Sequence, residues 1–165
     1  MARTLLITAA IFVLSVIALG ATKPSFTGTW TMDRARSFGL PADMNQTLTI
    51  TQKEDRIELE TKLIQPNNER TIKDTYVLDG KEYDFTPVVA PNQPPAVGRR
   101  TCVWLPGDRG IQVTDVTTAE TPKGPVKTQT VRKWTISGQG ELVVDMYVDN
   151  PNISYEAKRI FIKQQ

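Results

Sequence analysis

From residue 45 onward, apolar side chains recur at every second position. Leu48 and Ile50 alternate with Thr47, Thr49 and Thr51, and Ile57, Leu59, Thr61 and Leu63 alternate with Glu58, Glu60 and Lys62. A period of two puts one face of an extended segment in a core and the other in water. Ile72, Asp74, Tyr76 and Leu78 form the inward series of the next strand, and Asp79-Gly80 is a favoured hairpin turn. The same pattern predicts strands over 26–32, 81–86, 99–105, 111–118, 126–137, 142–148 and 153–163. Breaks rich in Pro, Gly, Asn and Asp separate them, among them PGDRG at 106–110. Residues 87–98 (PVVAPNQPPAVG) contain four prolines and are predicted to be a long extended loop, because proline removes ladder donors. Asp33 is placed to cap one helical turn that Gly39 and Pro41 would stop. No longer helical period is present.

Short strands joined by hairpin-length turns predict an antiparallel meander. So many strands in one flat sheet would leave exposed edges, so the sheet is expected to close on itself. The predicted fold is all-β, a single antiparallel up-and-down β-barrel of about eight to ten strands. Strand 26–32 is the candidate closing strand.

The first residues change the picture of where the protein acts. Arg3 precedes an apolar, uncharged run over 5–19, and Ala18 and Gly20 stand at the small-residue spacing of a cleavage site. Residues 1–20 are therefore expected to be a signal peptide and 21–165 a single barrel domain, exported to the periplasm or secreted. A retained anchor is the alternative, since the run is only slightly short of a bilayer span. Once the leader is cut, no stable membrane insertion is expected. Without Arg3, the 20 basic residues fall to 19 against 18 acidic ones. That balance offers no electrostatic grip on nucleic acid. Cys102 is the single cysteine, which excludes an internal disulfide, and its neighbours Val103 and Trp104 point to a buried inert thiol. A core of about 145 residues suffices without staples, and a monomer is expected.

Histidine is absent, which removes the commonest general base, the commonest metal ligand and every Ser-His triad. Glu58/Glu60 and Asp145/Asp149 are carboxylate pairs, but their spacing is that of a solvated face. No catalytic residue, metal site or cofactor is expected. The informative feature is arginine in apolar phase. Arg132 shares a face with Trp134, Arg159 with Tyr155 and Phe161, and Arg100 with Cys102 and Trp104. If those faces point inward, three guanidinium groups enter an interior lined by Tyr76, Trp104, Trp134, Tyr155 and Phe161. Each then needs a carboxylate, ordered water or an anionic ligand, because an unpaired buried charge is too costly. Asp74 and Asp115, also in apolar phase, are the internal alternatives.

Residues 26–39, FTGTWTMDRARSFG, carry a resemblance. Gly28-Thr-Trp30 followed by a short turn resembles the Gly-x-Trp opening strand of the calycins, the lipocalins and fatty-acid-binding proteins. The longer Trp-x-x-Asp-x-x-x-Ser pattern is similar to small exported lipocalin-like proteins of bacteria. The resemblance implies that Trp30 plugs the closed end of the barrel, with Arg159 on the last strand as its candidate partner. It also implies a small-molecule site, for which fatty-acid-binding proteins use an Arg-x-Tyr pair; here the matching residues read Arg159-Ile160-Phe161. The disulfides and long helix of classical lipocalins have no counterpart, nor does a helical lid between the first two strands. The function expected is non-enzymatic binding of a small hydrophobic or amphipathic ligand with an anionic end. A solid-packed interaction module is the first alternative and a carboxylate-based enzyme the second.

Overall fold

The computed structural model describes residues 23–39, 41, 43–87 and 96–165. The expected leader and most of the proline-rich loop lie outside these residues. Ten strands form one antiparallel sheet: β1 Gly28–Met32, β2 Asn45–Lys53, β3 Arg56–Gln65, β4 Asn68–Val77, β5 Glu82–Phe85, β6 Ala96–Trp104, β7 Gly110–Thr121, β8 Gly124–Ile136, β9 Leu142–Asn150 and β10 Ile153–Lys163. Their spatial order is β4-β3-β2-β1-β10-β9-β8-β7-β6-β5. Every neighbour is a neighbour in sequence except at β1, which joins β2 to β10. Trp30 stands opposite Leu48 on one side and Lys163 on the other. The strand over 26–32 thus closes the meander as its pattern predicts, making an up-and-down barrel.

The hydrogen-bonded ladder does not run all the way round. Among the described residues β4 and β5 do not pair, and the barrel is held across that gap by other means. At the closed end the chain itself crosses it, the Leu78 backbone N–H donating to the Asp55 carbonyl on the β3 side and the Gly80 N–H to the Cys102 carbonyl on β6. Higher up, Arg100 on β6 reaches Asp74 on β4 at 2.8 Å.

The closed end is packed solid. Phe26, Trp30, Ile50, Ile57, Tyr76, Ile111, Trp134, Leu142 and Phe161 are buried together. Trp134 meets Phe26 and Tyr76 edge-on at 6.1 and 5.7 Å, an arrangement aromatic quadrupoles favour. The Trp30 indole N–H donates to the Phe26 carbonyl at 2.8 Å, so the plug carries no orphan donor. The ammonium of Lys163, not the Arg159 guanidinium, lies 5.3 Å from the Trp30 ring centroid. The register explains this: Lys163 is the β10 residue paired with Trp30, and Arg159 sits four residues earlier. Gly28 makes room for it. Its φ is +139°, and a Cβ there would come within 2.6 Å of Lys163 Cε.

The chain between β1 and β2 turns at 34–36 without forming the expected helical turn. Asp33 Oδ1 does accept the Ala35 and Arg36 backbone N–H groups, as a cap would. The next residues are claimed by β10 instead. The Ser37 hydroxyl donates to the Asp33 carbonyl at 2.7 Å and accepts the Ile160 N–H at 3.1 Å, while Phe38 bridges to Lys158. Strand β6 starts at Ala96, inside the stretch assigned to the loop. Pro125 likewise enters β8, opposite Glu120 next to the hairpin end.

Candidate functional site

Period-two alternation aims one side chain from each of β4, β6, β7, β8 and β10 into the upper core: Asp74, Arg100, Asp115, Arg132 and Arg159. Arg100 and Asp115 are direct cross-strand partners. The Arg100 fork donates Nε to Asp115 Oδ1 at 2.6 Å and Nη2 to Oδ2 at 2.9 Å, and Nη1 to Asp74 at 2.8 Å. Its plane also lies over Phe85 and Tyr76, at 4.1 and 4.8 Å. Burial works against this charge, yet the two carboxylates outweigh it and hold the guanidinium above its ordinary pKa. Arg132 donates Nη2 to the same Asp115. Asp74 and Asp115 are thus the internal partners that the apolar phase offers for Arg100 and Arg132.

Arg159 is different. No carboxylate among the described residues pairs with it, and its Nη1 touches only the Met146 sulfur at 3.9 Å. Burial, with Arg132 nearby, pushes its pKa down to about 10. It therefore stays protonated at neutral pH while disfavoured by its surroundings. Three guanidinium groups face two carboxylates, leaving the interior one positive charge in surplus.

Arg132, Arg159, Tyr76, Trp134 and Phe161 line a cavity of about 180 Å³, with Leu48, Leu59 and Val144 as apolar walls. Three buried N–H donors have no acceptor among the described residues: Arg132 Nε, Arg159 Nε and Trp134 Nε1. All three belong to residues on this cavity. Native proteins leave few buried donors unpaired, so three around one space mark a place prepared for acceptors. Gln46, Thr61, Leu63 and Ile72 complete its rim. Their period-two phase is visible in the sequence, but nothing there says which of the inward residues share one height.

The remaining expected site residues lie elsewhere. Arg100 is taken up by its carboxylates. Trp104 is in the inward phase but at the closed end, where its indole N–H donates to Asp55 and Lys23 lies over its ring. Tyr155 stands at the mouth, 41% exposed. A larger groove of about 700 Å³ crosses the outer face between Phe38, Val131 and Tyr147. Lys158 pairs with Asp145 there at 3.0 Å, and none of the residues that carry the three unpartnered donors lines it. The inner cavity is the candidate site. The carboxylate pairs are on the outer face, with Glu60 held by Lys73 and Asp145 by Lys158.

No known protein family matches the sequence, and no curated protein does. Solved structures do. Apo lipid binding protein 8 of Caenorhabditis elegans superposes with a TM-score of 0.53 at 13% identity, over 84% of this chain and 95% of that one. Secretory abundant heat soluble protein 4 from Ramazzottius varieornatus gives 0.51 at 15%, over 87% and 97%. Human cRBP IV gives 0.50 at 14%, over 86% and 99%. At such identities the likeness is one of fold, an up-and-down β-barrel.

Proposed function

We propose that this protein binds a small hydrophobic or amphipathic ligand with an anionic end inside its barrel, without altering it chemically. The observation that carries the reading is the convergence of three unpartnered buried donors and one surplus positive charge on a single cavity. An anion beside Arg159 would remove the desolvation cost that lowers its pKa, and a carboxylate suits the guanidinium fork. Leu48, Leu59, Trp134, Val144 and Phe161 would supply apolar burial for the rest of the ligand. Tyr76 would close the floor. One neighbour of the same fold, a lipid binding protein, supports the ligand class.

The proposed site of action is outside the cytoplasm, in the periplasm or beyond it. The support is the apolar run over 5–19 behind Arg3 and the Ala18-x-Gly20 spacing. The protein is proposed to act as a monomer. One observation favours the rival reading of a solid-packed module: the lower half of the barrel is filled, and the cavity is small.

Native mass spectrometry of the protein purified from its own host distinguishes the two. A small molecule that departs on denaturation, and that is missing from an Arg159→Met variant, supports binding. A bare mass that persists after incubation with carboxylates of several sizes sinks it.

A further inference from the structure

Resting on that anion-binding reading, we propose that the occupant is a compact monocarboxylate, of the size of benzoate or hexanoate, and not a long-chain acid. The cavity measures about 180 Å³. Ligand pockets usually start at about 300 Å³, whereas a dry cavity of about 150 Å³ admits benzene. The space equals about six water-sized volumes, enough for one ring or a short chain beside a headgroup.

The walls set the same limit. Apolar lining runs over Leu48, Leu59, Trp134, Val144 and Phe161 and ends at Leu63 and Ile72 on the rim. Towards the mouth, the inward positions that follow Asp115 and Arg132 on β7 and β8 are Thr130, opposite Asp115, and the cross-strand pair Thr117 and Thr128. On β10, Tyr155 and Ile153 stand 41% and 55% exposed. A chain reaching past the cavity would meet hydroxyls and water, and its added methylenes would stay wet. The charge count limits the headgroup as well. One surplus positive charge balances one carboxylate, and a second negative charge would be buried without a partner.

The test is isothermal titration of the full barrel with acetate, benzoate, hexanoate, decanoate and dodecanoate, on the native protein and on Arg159→Met. A buried methylene normally adds about fourfold in affinity. The expected result is a rise from acetate to benzoate and hexanoate, then a gain of less than about threefold in total up to dodecanoate. Binding should weaken at least tenfold in Arg159→Met. A steady fourfold gain per methylene through decanoate, still dependent on Arg159, overturns the size limit and leaves the anion site standing. Absence of Arg159-dependent binding for every member of the series overturns both.

Discussion

Arg159 and Arg100 are both buried arginines, and substituting them should have opposite effects on the empty protein. Arg159 has no carboxylate partner and a pKa pushed down to about 10, so its charge is a burden in the folded state. Arg159→Met should stabilise the empty protein by roughly 1–3 kcal/mol and abolish anion binding. A lower melting temperature would show the guanidinium to be structural. The pH dependence has a definite sign. Below about pH 10 Arg159 is protonated both folded and unfolded, and the penalty is constant. Above it the folded state releases the proton first, the unfolded chain holds more protons, and this residue's contribution to stability rises with pH. The advantage of Arg159→Met in urea denaturation should therefore shrink as pH climbs through about 10. Arg100, by contrast, joins Asp115 and Asp74, and removing one member of a buried pair strands the others. Arg100→Met should cost about 3–5 kcal/mol. Arg100→Lys should recover only part, because an ammonium cannot reproduce the bidentate fork. Cys102 lies beside this cluster, buried, with burial pushing its thiol up to about 11. Iodoacetamide at pH 8 should leave it unmodified in the folded protein and label it once the chain is unfolded in urea.

At the scale of the element, the turn after β1 shows how a sequence signature becomes an attachment. In Trp30-x-x-Asp33-x-x-x-Ser37, Asp33 caps the turn and Ser37 bonds both the turn and the β10 backbone. One hydroxyl thereby links residues far apart in the chain. Ser37→Ala should cost roughly 1–2 kcal/mol, read as a shifted urea midpoint at unchanged slope, since the Ile160 N–H loses its acceptor. A cost near zero would mean that water replaces the hydroxyl freely. The strands themselves were legible because a half-buried strand writes its period into the chain, and all the inward series from Leu48 to Phe161 point as the alternation predicts. What alternation cannot encode is height along the barrel. Trp104 and Tyr155 have the right phase, yet one sits at the closed end and the other at the mouth. The exchange of Lys163 for Arg159 over Trp30 has the same origin, because pairing register is a property of two strands and alternation of one. The helical turn failed for a different reason: Asp33 carries a true capping signal, but β10 competes for the residues behind it.

For the whole molecule, the decisive feature is that the barrel closes without a continuous ladder. Strands β4 and β5 each have one hydrogen-bonded neighbour, while β7, β8 and β9 have two. The surplus charge and the three unpartnered donors that define the site arise only when β4, β6, β7, β8 and β10 are brought round one axis. This is why the site was half legible: the residue types were visible, but their pairing was not. Asp74 links the two consequences, since its contact with Arg100 spans the gap while its side chain lines the cavity. Amide hydrogen exchange should therefore find β4 and β5 opening well below the global unfolding free energy, with β8 and β9 exchanging only through global unfolding. Asp74→Ala cuts the tether but leaves Arg100 with Asp115. It should speed exchange in β4 and β5 by roughly tenfold and leave β8 and β9 protected. If β4 is already as protected as β8 in the native protein, or if Asp74→Ala accelerates all strands alike, the gap is not an independent opening unit and the barrel behaves as one cooperative shell.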